Sequence, residues 1–466
     1  MNELPISLVL NSSVPLYEQI YTFIKTEIQA GRICYRAKLP STRALAAHLQ
    51  VSRSTVNLAY EQLLSEGYIE AVQGSGYYTA KIDQLLEIKE VIKPSYPKED
   101  RKQVEYDIDF SPRGIDLSSF PYNTWRRISK ETLNDAHKEL FVSGPAQGEL
   151  PLRNAIADYL YSARGVQCSV DQIIVGAGSE YLLMLLNQVI GRDSIIGMEN
   201  PTYKQAYRIF KSLEHPVVPI ELDGNGMRVD LLAKTNATVA YVMPSHQYPT
   251  GVIMPITRGL ELLAWSKAGE NRYIIEDDYD SEFRYKGKPI PSLQGADREG
   301  KVIYIGTFSK SIAPAIRISY MVLPRPLLER YYEKCGFFAS TVSRIDQEIL
   351  YHFIRDGYYE RHLNKMRALY RAKHDRLLAA LKPLNKLFEV SGENAGVHLL
   401  LTAKGNVTER ELIEKAKGEK VRIYGLSSYE IVENNKRPAT VILGYANLSD
   451  EEIEEGTNRL IKAFKN

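Results

Sequence analysis

A lysine that directly follows an apolar run is the residue best placed for covalent chemistry. Lys310 ends the sequence Gly306-Thr307-Phe308-Ser309-Lys310, and Arg317 follows seven residues later. The apolar residues 302–305 predict a strand, so the lysine would lie at the carboxyl end of a sheet, where α/β folds bind ligands. A lysine amine can form a Schiff base with a carbonyl compound, and hydroxyl and guanidinium groups bind phosphate. A lone lysine is most often a surface charge, but this spacing after a strand indicates a binding site.

Carboxylates follow a second apolar run, residues 273–275, in the sequence Glu276-Asp277-Asp278-Tyr279. Asp277 is the best candidate to pair with a protonated ring nitrogen, and Tyr279 can donate a hydrogen bond to a ring oxygen. The alternative is that these acids form an exposed turn or cap a helix. We expect that of Asp278 and Asp280 more than of Asp277.

A glycine-rich turn and a tyrosine stand after two earlier predicted strands. Gly176-Ala177-Gly178-Ser179-Glu180 lies between the apolar residues 173–175 and a helical pattern. Backbone amides at a helix N-terminus bind anions, although such turns are common and the motif is weak by itself. Tyr203 follows the apolar run 195–198 and can stack on a flat ring, but one tyrosine among 31 more often serves packing.

Together these residues meet the four requirements of pyridoxal 5′-phosphate. The cofactor needs a lysine amine, a carboxylate against its pyridine nitrogen, donors for its phosphate and a flat partner for its ring. On these motifs, and on PAQGELPLRNAIADYLYSARGV and YYERHLNKMRALY, residues 107–466 resemble the fold-type I aminotransferases.

The resemblance implies a role for each matching residue. It gives the Schiff base to Lys310, the pyridine nitrogen to Asp277, the ring hydroxyl to Tyr279 and stacking to Tyr203. It gives the phosphate to Gly178, Ser179, Thr307, Ser309 and Arg317. It also implies a homodimer, because sites of this fold type are usually built at a dimer interface.

The first 80 residues show three helical patterns followed by a β-hairpin signal. Apolar residues recur every four positions from Leu16 to Ile28, which predicts an amphipathic helix. A second helix is predicted to begin after Ser41 and a third near Ser52–Ser54. Two short strands flank Gly74-Ser75-Gly76, so the order is that of a winged helix-turn-helix.

The run LPSTRALAAHLQVSRSTVNLAYEQLLSEGYIEAVQGSGYY resembles the DNA-binding domain of the GntR family. By that resemblance Arg43, Arg53 and Thr55 contact DNA, and Gly76 shapes the wing. The alternative is that both arginines are merely solvated helix residues. A GntR-like head joined to an aminotransferase-like region resembles the MocR family of transcriptional regulators. The resemblance implies a double-stranded DNA operator as partner, and a homodimer in which head-to-tail exchange of the DNA-binding heads is one arrangement.

Four positions depart from the aminotransferase and MocR patterns. Tyr248, in Tyr248-Pro249-Thr250-Gly251, stands where aminotransferases carry an asparagine, and Ile442 stands where many carry an arginine for the substrate carboxylate. Gln205 and Ser428 stand where a MocR regulator that responds to GABA would need arginines. Losing a bidentate guanidinium anchor argues against ordinary transamination.

We therefore expect a regulator rather than an enzyme, with residual transaminase activity as an open point. Its expected effector is pyridoxal phosphate itself and its expected targets are vitamin B6 synthesis genes, as in the PdxR-like subgroup. The alternatives are an active aminotransferase with a fused DNA-binding head, a regulator that responds to an amino acid through the cofactor, and a dimerising scaffold.

Length and composition bear on the number of domains and on the fold class. The 466 residues indicate several domains: a winged helix-turn-helix at 1–80, a charged, proline-containing linker at 81–106 and a cofactor-binding region at 107–466. The expected fold class is α/β, a fold-type I large domain with a small α+β C-terminal subdomain. A net charge of +2 gives no sign of DNA binding, which therefore rests on the N-terminal module.

The remaining features predict a cytoplasmic protein. Cys34, Cys168 and Cys335 are far apart, so neither a disulfide framework nor a metal site is expected. The N-terminus lacks the pattern of a secretory signal, and no apolar stretch is long enough for a membrane span.

Overall fold

The computed structural model describes residues 4–9, 12–81, 106–285, 290–433 and 437–465. The chain divides into two units, Met1–Gln103 and Val104–Asn466, and each is described by itself below. Nearly all of the predicted linker, residues 82–105, lies outside the described residues. Within the described ranges, none of the helices has the length and apolar character needed to cross a bilayer.

The first unit contains three helices and a hairpin, as predicted. They are α1 (Leu16–Gln29), α2 (Thr42–Leu49), α3 (Arg53–Ser65), β1 (Ile69–Val72) and β2 (Gly76–Thr79). Serine side chains start two of the helices: Ser41 Oγ accepts from the amide of Ala44, and Ser52 Oγ accepts from that of Thr55. The hairpin is antiparallel and pairs Val72 with Gly76 at its tip. Ile20, Ile24 and Ile28 of α1 are buried in the core of this unit.

The second unit alternates strands and helices over most of its length. Its strands are β3 (Ile108–Asp109), β4 (Ile173–Gly176), β5 (Ile196–Asn200), β6 (Val217–Asp223), β7 (Gly226–Met227), β8 (Val239–Val242), β9 (Tyr273–Asp278), β10 (Val302–Thr307), β11 (Ser319–Val322), β12 (Phe388–Ser391), β13 (His398–Ala403), β14 (Val421–Arg422), β15 (Tyr424–Gly425) and β16 (Thr440–Gly444). Its helices are α4 (Tyr122–Thr132), α5 (Leu150–Arg164), α6 (Ser179–Ile190), α7 (Lys204–Ser212), α8 (Val229–Leu232), α9 (Ile256–Lys267), α10 (Leu293–Ala296), α11 (Arg325–Cys335), α12 (Arg344–Arg355), α13 (Tyr358–Leu381), α14 (Glu409–Gly418) and α15 (Asp450–Lys465).

An eight-stranded sheet forms the centre of this unit, in the order β4-β11-β10-β9-β8-β5-β6-β7. The five strands β10, β9, β8, β5 and β6 are parallel to their neighbours in that run, which confirms the predicted mainly parallel sheet. β11 runs antiparallel to both of its neighbours. The connection from β10 to β11, residues 308–318, contains only one 3₁₀ turn (Pro314–Ile316) and no α-helical crossover of the kind that usually joins parallel strands.

Both faces of the sheet are covered by helices. Along β10, Ile303 and Ile305 pack with α6, α7 and α11 on one face, while Tyr304 packs with α5 and α12 on the other. The apolar runs read from the sequence are near-continuous because every residue of such a strand is buried.

A smaller sheet of four strands, β12-β13-β16-β15, belongs to the C-terminal part of the chain. Its pairs are antiparallel, and α13, α14 and α15 cover one face, so the predicted small α+β subdomain is confirmed. Leu400 and Ile442 on its other face join the core that contains α6 and α7. This packing places the small sheet beside the carboxyl ends of the parallel strands.

Candidate functional site

A cavity of about 160 Å³ lies where the parallel strands β5, β8, β9 and β10 end. Eight of the predicted site residues line it: Ser179, Tyr203, Asp277, Tyr279, Thr307, Ser309, Lys310 and Arg317. They come together because the carboxyl ends of parallel strands meet at one edge of a sheet.

Lys310 lies in the turn that follows β10. In this turn the amide of Ser309 donates to Thr307 Oγ1 over 3.1 Å. Lys310 Nζ is 3.4 Å from the carbonyl oxygen of Pro112, and no carboxylate of the described residues lies within ion-pairing distance of it. Burial lowers the pKa of Lys310 to about 8, with Asp280 opposing the shift and Arg113 adding to it. An amine with that pKa is partly neutral, and therefore nucleophilic, near neutral pH.

Asp277 is a buried carboxylate near the end of β9. The hydroxyl of Tyr241, on β8, donates to Asp277 Oδ2. Burial raises the pKa of Asp277 to about 7, although the Tyr241 hydrogen bond acts in the opposite direction. No cationic side chain of the described residues forms an ion pair with Asp277, whereas the adjacent Asp278 is paired with Arg164. The buried carboxylate of Asp277 could pair with a cationic ring N–H.

The structure contradicts the prediction for Asp278 and Asp280. Asp278 and Asp280 were expected to be exposed or to cap a helix, and both are buried. Asp278 Oδ2 is 2.7 Å from Arg164 Nε, and Asp280 Oδ2 is 2.9 Å from His246 Nδ1. The expectation was wrong because β9 continues through Asp278, and these acids find their partners on distant segments.

A candidate phosphate recess lies where the N-terminus of α6 meets Arg317 at the cavity. Gly178 precedes the helix with φ +94°, and a Cβ atom there would lie 2.1 Å from Arg317 Nη2. Arg317 Nη2 is 3.2 Å from the carbonyl oxygen of Ala177 and 2.6 Å from Glu180 Oε2. Ser179 opens α6, so the start of a helix, hydroxyl groups and a guanidinium border the same space, which is a donor set suited to a phosphate.

Aromatic rings form the opposite part of the cavity. The rings of Tyr203 and Tyr248 meet edge to face with centroids 6.0 Å apart, and Tyr248 and Tyr279 do so at 5.7 Å. The Tyr279 hydroxyl is 2.9 Å from His246 Nδ1, and the Tyr248 hydroxyl donates to that of Tyr429 over 3.0 Å. Tyr248 therefore occupies the cavity wall at the position where the sequence departs from the aminotransferase pattern.

Sequence reasoning missed Arg113, which also lines the cavity. It lies in the loop after β3, and its Pro112-Arg113-Gly114 turn was the signal that could have drawn attention to it.

Ile442, Gln205 and Ser428 stand at the three positions where the family patterns have an arginine that binds a carboxylate, and none of these residues is a cation. Ile442 is buried in β16, Gln205 lies on α7, and Ser428 Oγ donates to the carbonyl oxygen of Gly425 over 2.8 Å.

The residues predicted to contact DNA lie in the N-terminal unit. Arg43 on α2 and Arg53 at the start of α3 are exposed, and Thr55 shares a hydrogen bond with Ser52 at the same helix start. Gly76 opens β2 with φ +115°, a conformation that favours glycine, so it shapes the tip of the hairpin.

Comparison with known families gives the same two-part division. Residues 16–78 match the model for bacterial regulatory proteins of the gntR family. Residues 115–460 match the model for class I and II aminotransferases.

Three curated relatives are regulators by name. The chain is 42% identical over 455 residues, 97% of each chain, to the HTH-type transcriptional regulator YdeL of Bacillus subtilis. It is 32% identical to the probable rhizopine catabolism regulatory protein MocR of Rhizobium meliloti, over 97% of this chain and 94% of that one. It is also 32% identical to the pyridoxine biosynthesis regulator PdxR of Corynebacterium glutamicum, over 86% of both chains.

A solved structure resembles the large unit. The kynurenine aminotransferase of Pyrococcus horikoshii, determined with PMP and its substrates, superposes with a TM-score of 0.69 and 25% identity. The match covers 77% of this chain and 90% of that one.

Proposed function

Because this chain belongs to the MocR-type transcriptional regulators, DNA-binding proteins that join a gntR-family region to an aminotransferase-like region, we propose that it binds pyridoxal phosphate at Lys310 and that this site controls its affinity for an operator. The observation that carries the proposal is the single cavity lined by Lys310, Asp277 and Arg317. A purely dimerising scaffold would need none of these three residues.

The residues present fit the cofactor. Asp277, buried and without an ion-pair partner among the described residues, would hold the pyridine N–H, and Lys310 would hold the aldehyde carbon. Arg317, which packs against Gly178, would hold the phosphate together with Ser179, Thr307 and Ser309, while Tyr203 supplies a flat neighbour and Tyr279 a phenol. When bound, the cofactor supplies an aldehyde for the lysine and a ring that withdraws electrons.

Control of transcription requires that the ligand favour one arrangement of the DNA-binding regions over another. A ligand changes DNA affinity only by its different affinity for two states of the protein. We propose a homodimer as the unit that carries those states, with Arg43, Arg53, Thr55 and Gly76 as the DNA-contacting residues. The 32% identity to a pyridoxine biosynthesis regulator supports vitamin B6 genes as targets.

Residual transamination is the second candidate function. It is favoured by the likeness to aminotransferases. It is opposed by Ile442, which is buried in β16 at the position where many of those enzymes hold the substrate carboxylate.

The test compares the full-length protein with Lys310→Ala. We expect added pyridoxal phosphate to give a visible absorbance band in the wild type that is lost in the variant. We also expect the cofactor to change the affinity for a promoter fragment from a B6 synthesis gene, by about tenfold or more, in the wild type alone. A Lys310-dependent band without any change in DNA affinity would contradict control by the cofactor alone. Absence of the band would contradict cofactor binding itself.

A further inference from the structure

Arg113 brings a second guanidinium to the cavity that contains Lys310. It lines the cavity, and the carbonyl oxygen of the preceding Pro112 lies 3.4 Å from Lys310 Nζ. Its loop is held to the small subdomain by backbone contacts: the amide of Gly444 donates to Phe110 over 2.9 Å. A Cβ atom on Gly114 would lie 2.1 Å from Asn447 Oδ1, so the chain passes this point in close contact. The position of Arg113 is therefore set by the fold.

Among the described residues Arg113 forms no ion pair, in contrast to Arg317, and Glu180 acts on it only through a longer-range electrostatic interaction. Arg317 Nη2 is 2.6 Å from Glu180 Oε2. No carboxylate in the described part of the chain lies within 4.0 Å of the Arg113 guanidinium. Burial acts to lower the pKa of Arg113, but the phenols of Tyr248, Tyr203 and Tyr429 outweigh it, and the pKa is raised. These neighbours keep the arginine charged without neutralising it.

Two phenolic hydroxyls stand next to this cation. The Tyr248 hydroxyl donates to that of Tyr429 over 3.0 Å, and both phenols act electrostatically on the Arg113 guanidinium. A guanidinium with neighbouring hydroxyl donors is a good receptor for a carboxylate, since the fork of N–H groups matches two carboxylate oxygens. Arg113 and Arg317 line the same cavity, but Arg317 is paired with Glu180, whereas the neighbours of Arg113 are phenols.

We propose that Arg113, with the hydroxyls of Tyr248 and Tyr429, binds the carboxylate of a small amino-acid effector beside the cofactor. The inference rests on the proposed function, because the cofactor at Lys310 is what would face the amine of such a ligand. It supplies the carboxylate anchor that Ile442, Gln205 and Ser428 cannot.

The experiment uses full-length protein loaded with pyridoxal phosphate and the twenty protein amino acids as probes. Each amino acid that changes a readout is compared with the amine that lacks its carboxylate, for example alanine with ethylamine, leucine with isoamylamine or phenylalanine with phenethylamine. The readouts are the change in cofactor absorbance and the affinity for the promoter fragment. In the wild type we expect at least one amino acid to act at a concentration about tenfold or more below that of its amine.

Arg113→Gln should reduce that preference to about twofold or less, while pyridoxal phosphate affinity stays within about threefold of the wild type. Arg113→Lys should keep part of the preference, because it retains the charge without the bidentate fork. Arg192→Gln, which removes an exposed arginine just beyond the opposite end of α6, is the matched control and should behave as the wild type. A thermal unfolding transition unchanged from that of the wild type, measured without any probe, shows that each variant is folded.

Two outcomes would overturn the inference. One is a wild type in which no amino acid is preferred over its amine. The other is an Arg113→Gln variant that binds pyridoxal phosphate at least about tenfold more weakly, which would assign Arg113 to the cofactor's phosphate. Failure of the proposed function is distinguishable, because the cofactor's absorbance band would then be missing from the wild type itself.

Discussion

Arg317 Nη2 lies 2.6 Å from Glu180 Oε2, so the arginine of the proposed phosphate recess is already paired with an acid. Both side chains are partly exposed, and such pairs contribute little to stability. The carboxylate nevertheless competes with a phosphate for the same guanidinium and repels its negative charge.

We therefore expect Glu180→Gln to tighten binding of pyridoxal phosphate by about threefold. The measurement is an absorbance titration at low ionic strength, where exposed charges are least screened. Pyridoxal, which lacks the phosphate, is the control ligand, and its affinity should not change. Weaker binding of the phosphate form would show instead that Glu180 is needed to orient Arg317.

Gly178 offers a test of the recess that separates backbone strain from crowding. Gly178→Ala would place a Cβ atom 2.1 Å from Arg317 Nη2 in a residue with φ +94°. The flexible arginine must move away, so we expect pyridoxal phosphate affinity to fall by about tenfold or more. The unfolding free energy should fall by about 1–3 kcal/mol, from the unfavourable backbone conformation.

Gly191, at the other end of α6, is the matched control. It has φ +88°, and a Cβ atom there would meet nothing within 4 Å. Gly191→Ala should lose a similar amount of stability in thermal or urea unfolding but keep its cofactor affinity. Equal losses of affinity in both variants would mean that strain in α6, rather than displacement of Arg317, weakens binding.

The cavity itself could largely be predicted from the sequence, because short-range patterns determine it. Lys310, Asp277 and Tyr203 each follow an apolar run, and parallel strands bring such positions to one edge. Arg113 could not be found in this way. Its place depends on contacts between the loop after β3 and residues 444–447, more than 300 positions away. The error on Asp278 has the same cause, since its partner Arg164 lies 114 residues earlier.

The charge of Asp277 predicts how cofactor affinity depends on pH. Its pKa is raised to about 7, so the carboxyl is mostly neutral below that pH and charged above it. Binding to a cationic pyridine N–H needs the charged form, and affinity should therefore fall as the pH is lowered through 7. Lys310, with a pKa of about 8, acts in the same direction because the neutral amine is the nucleophile.

Asp277→Asn isolates the contribution of the carboxylate. We expect the variant to bind pyridoxal phosphate about a hundredfold more weakly than the wild type at pH 8.5. The deficit should shrink to about threefold at pH 5.5, where the wild-type carboxyl is itself neutral. Comparing the two proteins at each pH cancels the titration of the ligand and of Lys310. A deficit that is constant from pH 5.5 to 8.5 would show that the charge of Asp277 is not what binds the ring.

The exposed arginines of the N-terminal unit give the prediction for DNA. Arg53 stands at the first position of α3, where the start of a recognition helix can reach base edges or phosphates, and Arg43 is exposed on α2. We expect Arg53→Ala and Arg43→Ala each to weaken operator binding by about tenfold or more. Arg228→Ala, which removes a partly exposed arginine of the large unit, should leave it unchanged.

The salt dependence of these variants tells which contact each arginine makes. A phosphate contact would lower the slope of log affinity against log salt by about one and weaken all sequences alike. A contact to a base edge would instead reduce the discrimination between the operator and a site changed at one base pair. Electrophoretic mobility shifts at several salt concentrations, on both DNA fragments, measure the two effects. If neither variant changed affinity, slope or discrimination, the two side chains would be solvated residues and the DNA surface would lie elsewhere on the N-terminal unit.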